Sequence, residues 1–412
     1  MKLATAVMSG NAMLVRRLLE NGANPDKAWS WVLGPGGEWW VSALGIAAAY
    51  GHRRIAIALI EANACVTRWQ RPKRHVESWL NPLDAAICFE HIDLARLLVQ
   101  RGADPNYRYC DADPDADGLM AMHYAARQAS TAYVSMLLQA KACVNANARG
   151  TTPLLHAIRS DNVQVVGKLL QAGARIESGM LTAAAGNANV AIARRLLKAS
   201  ADVNERRYGM TPLHAAVDSD QTTFDGFRRR ENCVELLLES GACTNVTTDE
   251  HGDTPLHIAA SIGSCNLIVM LSSYGAQKNV LNRYGNTPAD EAQEEGLDFV
   301  KDVLIMMRDW VTPLHHLTCY MKESRIQALL EARADLHARA TPASPSPLDI
   351  ARLTCLSGRF VERQDASRIL LNYWCAQKRA LAMATHNRLG ADSPARRLCR
   401  EEFEIIVAFM AA

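Results

Sequence analysis

Histidine is the residue type whose number and spacing first suggest chemistry, because imidazole binds metals and moves protons near neutral pH. The chain has 412 residues and contains twelve histidines. Four of them close a recurring four-residue box whose fullest form is Thr-Pro-Leu-His: His123, His214, His257 and His315. His315 is followed directly by His316, and adjacent helical residues do not face one ligand together. The recurrence predicts that these histidines bond backbone groups and link repeated units.

Cysteine is the second residue type that could support chemistry, as a zinc ligand or a nucleophile. The eleven cysteines form no C-x-x-C pair, and no H-E-x-x-H motif occurs. Cys65, Cys143 and Cys243 each follow an alanine that recurs in register, so their separations reflect a repeat. We expect no metal site, no cofactor and a reducing compartment, either cytoplasm or nucleus. Helical cysteines such as Cys88 and Cys233 are interpreted as small core side chains.

Signatures of catalysis are missing from the sequence. It contains no glycine-rich phosphate loop, nucleophile elbow or kinase motif, so we do not expect an enzyme. Residues 111–117 place Asp at alternating positions, as a calcium loop does. The twelfth residue counted from Asp113 is Tyr124 rather than the required Glu. We interpret this run as a solvated acidic loop.

Charge and hydropathy exclude two further classes of function. The formal net charge is only +2, which argues against a nucleic-acid partner. No apolar run approaches the roughly 18 residues of a membrane span, and the N-terminal segment is a poor signal peptide. We therefore expect a chain that binds neither membranes nor nucleic acid. Its abundance of Ala and Leu favours close-packed helices.

The box defines a repeat. Its copies, some degenerate, begin near residues 1, 42, 81, 120, 152, 179, 211, 254, 287, 312 and 346. An alanine lies 22 residues after the box start in eight cases. In the ninth, Ala242 lies 31 residues after Thr211, so nine extra residues fall within 219–231. Such a register predicts one structural unit repeated along the chain.

Each unit has a direct physical interpretation. Thr caps a helix and Pro suits its first turn. Small residues such as Ala215 and Ala216 let neighbouring helices approach, and a second, Leu-rich helix follows. A glycine before the recurring alanine ends that helix in a left-handed conformation. An extended segment, here called a finger, then leads to the next unit. Since one unit leaves an apolar face uncovered, the units must stack.

This pattern resembles the ankyrin repeat, whose period is about 33 residues. The resemblance implies an all-α solenoid of about eleven helix-turn-helix units with a C-terminal helical tail. We expect a repeat array over residues 1–286, degenerate repeats over 287–375 and the tail over 376–412. The unit that begins at Thr287 is short and lacks the Gly-Ala pair, so the stack is expected to bend or break near residues 287–312. The family implies a protein-binding scaffold that acts through its concave face and fingers, and we expect a monomer.

Tryptophans mark the first two fingers. The fingers between the first four units are long, with 18, 16 and 16 residues, whereas later ones have mostly 9 to 11. Because Trp and Arg dominate interface energetics, these fingers are predicted to bind a partner. An alternative is that the indoles fold inward and cap the first units. The predicted partner-binding residues are Trp29, Trp31, Trp39, Trp40, Trp69, Arg71, Lys73, Arg74 and Trp79.

The tail suggests a second function. Residues 393–403 are similar to the first helix of a SOCS box, with Leu398, Cys399 and Phe403 at its core positions. An earlier Leu of that motif is replaced by Ala395, and the rest of the box has no counterpart before Ala412. The tail also distantly resembles F-box-like ends of ankyrin proteins. Either resemblance implies a substrate adaptor whose partners include ubiquitin-ligase subunits. The alternative is a helix that caps the last repeat.

Overall fold

The computed structural model describes residues 2–32, 38–67, 81–107, 119–128, 130–148, 150–219, 224–307, 323–332, 334–339 and 346–348. Nearly all regular structure within these ranges is α-helical, and one two-stranded hairpin interrupts it. The predicted all-α repeat architecture is therefore confirmed, with the hairpin as a local addition in one finger.

The described helices alternate between a short first helix and a longer second helix of each repeat. Most first helices have seven residues, and most second helices have nine. In chain order the elements are α1 (Lys2–Met8), α2 (Ala12–Glu20), β1 (Ala28–Val32), β2 (Glu38–Ser42), α3 (Ala43–Ala49), α4 (Arg53–Glu61), α5 (Pro82–Cys88), α6 (Ile92–Gln100), α7 (Ala121–Arg127), α8 (Thr131–Gln139), α9 (Pro153–Arg159), α10 (Val163–Gln171), α11 (Met180–Gly186), α12 (Val190–Lys198), α13 (Pro212–Val217), α14 (Phe224–Glu239), α15 (Pro255–Ser261), α16 (Cys265–Ser273), α17 (Pro288–Glu294), α18 (Asp298–Met306) and α19 (Glu323–Glu331).

The box starts the first helix as its chemistry predicts. The Thr152 hydroxyl accepts the Leu155 N–H at 3.4 Å, and the Thr287 hydroxyl accepts the Asp290 N–H at 3.3 Å. Asn81 does the same for Asp84 at 2.7 Å. Proline follows each of these caps at the start of the helix, where its missing N–H costs no hydrogen bond.

Left-handed residues end most second helices, which confirms the predicted role of glycine. Five glycines before the recurring alanine have φ between 78° and 90°: Gly22, Gly102, Gly173, Gly241 and Gly275. A Cβ built at any of them meets nothing within 4 Å, so conformation rather than space selects glycine there. Asn63, Lys141 and Ser200 occupy the same position in other repeats with φ of 59°, 60° and 67°.

The described residues pack as two units. The first comprises Met1–Arg207 and Ser219–Leu236, and the second comprises Tyr208–Asp218 and the described residues from Leu237 onwards. In the first unit, α1, α3, α5, α7, α9 and α11 pack each on the next, and in the second α13, α15 and α17 do so. All seven residues of α3 are buried, since its small side chains allow both neighbouring helices to approach closely.

The predicted insertion lengthens a helix. Helix α14 has 16 residues, whereas the other second helices described in full have nine. Its buried Arg230 donates a hydrogen bond to the carbonyl of Ser219, which lies just before the helix in the chain. The extra residues therefore extend the second helix at its N-terminal end.

The unit that begins at Thr287 forms a regular pair as far as the structure describes it. Helices α17 and α18 have seven and nine residues, and α17 packs on α15. Residues 308–322 and the tail lie outside the described residues. The count of eleven units, the break near 287–312 and the boundaries after residues 286 and 375 stay predictions. No helix among the described residues is long and apolar enough to cross a membrane.

Candidate protein-binding surface

The box histidines join each repeat to the next finger. The Nδ1 atom of His214 accepts the Thr211 N–H at 3.2 Å, and its Nε2 lies 3.1 Å from the Asp253 carbonyl. Because Nδ1 accepts, Nε2 carries the proton and donates to that carbonyl. His257 repeats this pattern with the Asn286 carbonyl at 3.1 Å. The predicted structural role is confirmed for these residues, whereas His315 lies outside the described residues.

His123 makes the same two contacts in the first unit. Its Nδ1 accepts the Met120 N–H at 3.1 Å, and its Nε2 lies 3.2 Å from the Thr151 carbonyl. Burial lowers the pKa of His123 to about 4, because the charged imidazolium would lose its hydration. The ring is therefore neutral at physiological pH, as its accepting Nδ1 requires.

Asparagine side chains tie neighbouring fingers together, a role that the sequence analysis missed. The Asn106 amide oxygen accepts the Cys143 N–H at 2.6 Å, and its nitrogen donates to the Lys141 carbonyl at 3.1 Å. Asn145 and Asn245 form the same pair of bonds to the repeat that follows each of them. Each of the three lies three residues after a recurring alanine, and that spacing was a readable signal. These bonds join neighbouring fingers within each unit.

The burial of each cysteine depends on its position in the repeat. Cys233 is fully buried, and burial raises the pKa of its thiol to about 12. The interpretation as a core residue is confirmed there. The pKa of Cys88 is also raised to about 12, by burial and then by the nearby Asp84 carboxyl. In the part of the chain that the structure describes, His, Cys, Asp and Glu form no group of three that could hold a metal ion. The acidic run at 111–117 lies outside that part.

The first finger is a β-hairpin that contains four of the predicted tryptophans. Strands β1 and β2 are antiparallel, with Trp31 opposite Trp39, Trp29 opposite Val41 and Ser30 opposite Trp40. Since residues alternate between the faces of a ribbon, positions 29, 31, 39 and 41 share one face. Position 40 belongs to the opposite face.

The hairpin is anchored at its second strand. Ser42 ends β2 and caps α3, where its hydroxyl accepts the Gly45 N–H at 3.0 Å. Val41 is completely buried, and Trp29 is half-buried with its indole N–H shielded from solvent. That N–H has no acceptor among the described residues. Ser42, which belongs to the face of position 40, is buried as well, so the base of the hairpin is buried on both faces.

The remaining predicted site residues lie outside the described residues. These are Trp69, Arg71, Lys73, Arg74 and Trp79 in the second finger, and Leu398, Cys399 and Phe403 in the tail. The sequence analysis also missed three exposed rings on fingers of the second unit, Tyr208, His251 and Tyr284. Each stands three residues before a box threonine, so alignment of the repeats could have found them.

Comparison with known proteins agrees with the geometry. A family model described as ankyrin repeats (3 copies) matches residues 3–109, 107–180, 177–248 and 227–309. The human Ankyrin repeat and SOCS box protein 16 is 32% identical over 218 residues, 51% of this chain and 46% of that protein. The E3 ubiquitin-protein ligase KEG of Arabidopsis thaliana is 27% identical over 340 residues, 69% of this chain and 20% of that protein. Cyclin-dependent kinase 4 inhibitor B of Mus musculus is 32% identical over 125 residues, 30% of this chain and 88% of that protein.

The chain thus spans less than half the length of the first two of these relatives. The family model covers most of residues 3–309, and the helix pairs, capped boxes and hydrogen-bonded fingers described above recur through the same region. The chain belongs to the ankyrin-repeat family.

Proposed function

We propose that this ankyrin-repeat scaffold binds protein partners through its fingers, with the hairpin of β1 and β2 as the principal contact. The observation that carries the proposal is the collection of Trp29, Trp31, Trp39 and Trp40 in one ribbon that runs directly into the buried helix α3. Tryptophan contributes more binding energy than most residues, and a rigid support reduces the entropy lost on binding.

We assign different roles to the two faces of the hairpin. Trp29 is half-buried and its indole N–H is shielded from solvent, so we assign it to the fold. Position 40 belongs to the other face, and we assign Trp40 to the partner. The basic second finger, with Trp69, Arg71, Lys73, Arg74 and Trp79, is proposed to extend the same surface. The partner surface is then a mixture of indole rings and cations.

Paired substitutions in the hairpin test this division. Trp40→Ala should weaken partner capture from lysate about tenfold or more, because interface tryptophans act as hot spots, and leave the melting temperature nearly unchanged. Trp29→Ala should lower the melting temperature, since it removes a half-buried ring. Met13→Ala, which removes an apolar side chain that is 79% exposed on α2, is the matched control and should change neither. Equal capture by wild type and Trp40→Ala would refute the assignment.

A second candidate function is that of a substrate adaptor for a ubiquitin ligase. It is supported by the similarity of Leu398, Cys399 and Phe403 to a SOCS-box helix and by the sequence similarity to Ankyrin repeat and SOCS box protein 16. In this alternative the repeats bind the substrate and the tail recruits ligase subunits. The scaffold function is favoured because the tail matches its motif with two departures.

A further inference from the structure

Three neighbouring second helices of the first unit together contain basic side chains and no acidic one. Helices α8, α10 and α12 pack each on the next, and α6 packs on α8. The basic residues of the three helices are Lys168, Arg194, Arg195 and Lys198. We call these four residues the basic strip.

A glycine inside helix α10 makes room for one residue of the strip. A Cβ built at Gly167 would lie 2.7 Å from Arg195 Nη1, and the three atoms nearest to it all belong to the Arg195 guanidinium group. Gly167 has ordinary helical backbone, so its conformation does not require glycine, and glycine within a helix costs stability. Space for the guanidinium group therefore explains Gly167.

Lys168 is held in the equivalent way. It is the sixth residue of α10, as Arg195 is of α12. Its Nζ atom donates to the Thr131 carbonyl at 3.4 Å and to the hydroxyl of Ser135, the fifth residue of α8. Both cations thus lie against the preceding second helix. Cations held in this way lose less conformational entropy when they bind a partner than freely moving ones do.

No described carboxylate pairs with the basic strip. Arg194, Arg195 and Lys198 are exposed and Lys168 is half-buried, and none of the four forms an ion pair with a residue that the structure describes. Arg194 and Lys198 also lie four residues apart on α12, a spacing at which like charges destabilise a helix. Binding of an anion would offset this repulsion.

Acidic residues of the same repeats lie at the ends of the helices. Asp161 precedes α10, and its carboxylate accepts a hydrogen bond from the Asn189 side chain at 2.6 Å. Glu177 and Asp202 lie on fingers, after the C-terminal ends of α10 and α12. Helix α14 contains side chains of both signs, so the strip ends at α12.

The residues between the cations favour a protein as the partner. The other exposed positions of α8, α10 and α12 are occupied by Ala132, Gln139, Gln164, Gln171 and Ala191. None is an aromatic ring on which a nucleic-acid base could stack. No large apolar side chain is exposed on α6, α8, α10 or α12, so this surface has nothing to insert into a lipid layer. Glutamine amides can bond the backbone of a peptide.

We propose that the basic strip binds an acidic segment of a partner protein. The guanidinium groups of Arg194 and Arg195 bind its carboxylates, a pairing that Arg can make with two parallel hydrogen bonds. Ser135, which bonds Lys168, also lines a groove of about 480 Å³ between α6 and α8. Arg96 lines the same groove and offers a further cation to the segment. This surface is separate from the tryptophan hairpin.

The test measures fluorescence anisotropy of fluorescein-labelled octa-glutamate with the full-length chain at low ionic strength. Octa-lysine of the same length is the charge control and should not bind. The Arg194→Gln, Arg195→Gln double variant should weaken octa-glutamate binding about tenfold, as expected for the loss of two exposed ion pairs. Arg16→Gln, Arg17→Gln is the matched control, because it removes the same charge from the fifth and sixth residues of α2. It should bind octa-glutamate like wild type.

Gly167→Ala tests the arrangement of Arg195 separately from its charge. The added Cβ displaces the guanidinium group, whereas alanine stabilises the helix. Octa-glutamate binding should therefore weaken about two- to threefold while the melting temperature rises. A purely structural role for Gly167 and Arg195 would change the melting temperature and leave binding unaffected.

Three results would overturn the proposal. The first is that wild type does not bind octa-glutamate. The second is that both double variants lose binding equally, which would show general charge attraction. The third is that octathymidylate or phosphatidylserine vesicles bind more tightly than octa-glutamate and lose binding in the Arg194→Gln, Arg195→Gln variant. Trp40→Ala should bind octa-glutamate like wild type, so the hairpin and the basic strip can fail independently.

Discussion

At the scale of single residues, position within the repeat decides what a side chain does. His123, His214 and His257 all bond one backbone N–H and approach one carbonyl of the next finger, although only two of them follow a threonine cap. The sequence predicted this role from recurrence alone. It did not predict that Asp84, which takes the same place in its own box, is buried and that burial raises its pKa. That depends on how deeply the packing buries the carboxyl group, which the sequence alone does not define.

The depressed pKa of His123 predicts a pH-dependent stability. Its folded pKa of about 4 lies below the unfolded value of about 6.5, so the unfolded chain binds more protons between these limits. The contribution is fully present above the unfolded pKa and is lost as pH falls towards the folded one. From about pH 7 to about pH 5 the loss is about 2 kcal/mol.

The His123→Gln variant should not show this loss of about 2 kcal/mol in the free energy of unfolding. Urea unfolding at about pH 7 and about pH 5 measures it. His337→Gln, at an exposed position, is the control and should retain it. Because the raised pKa of Asp84 contributes with the opposite sign, the informative quantity is the difference between each variant and wild type. An unchanged pH dependence in His123→Gln would show that the ring is not the titrating group.

At the scale of elements, the box and the Gly-Ala pair were sufficient to predict the helix pairs and their ends. The hairpin was not predicted, because its length suggested a loop, although Ala28–Val32 has the alternation of a strand. The insertion near α14 was located correctly, but its conformation was not inferred. Helical continuation there depends on tertiary contacts such as the bond from Arg230 to the Ser219 carbonyl. The local sequence pattern therefore predicts the structure of regular repeats better than the structure of segments that depart from the repeat.

Where a helix ends in a non-glycine residue with positive φ, substitution by glycine should stabilise the protein. Lys141→Gly and Ser200→Gly should each raise the free energy of unfolding by about 1 kcal/mol, because a Cβ is unfavourable in the left-handed region. Arg194→Gly, at an exposed position inside α12, should instead lower it by about 1 kcal/mol. Chemical denaturation distinguishes these signs, and destabilisation by Lys141→Gly would contradict the account of the helix end.

At the scale of the whole molecule, a repeat array places residues at equivalent positions in successive repeats. The exposed side chains at those positions determine which partner the protein binds. The capped boxes and asparagine bonds hold the fingers in register, and the exposed side chains on those fingers can vary without loss of fold. The sequence identified the tryptophans of the first finger but not that they share a ribbon. The sequence analysis missed Tyr208, His251 and Tyr284, because they are recognised by their equivalent positions in aligned repeats and not by local composition.

The central claim is that partners bind the fingers of the repeats, and affinity purification from lysate with mass spectrometry tests it most directly. Three chains are compared: wild type, the Trp40→Ala variant, and a chain that ends at Ala384. The account predicts the same partners with wild type and the shortened chain, and their depletion with Trp40→Ala. The account is contradicted if Trp40→Ala retains every partner while cullin-type ligase subunits are captured by wild type and lost from the shortened chain.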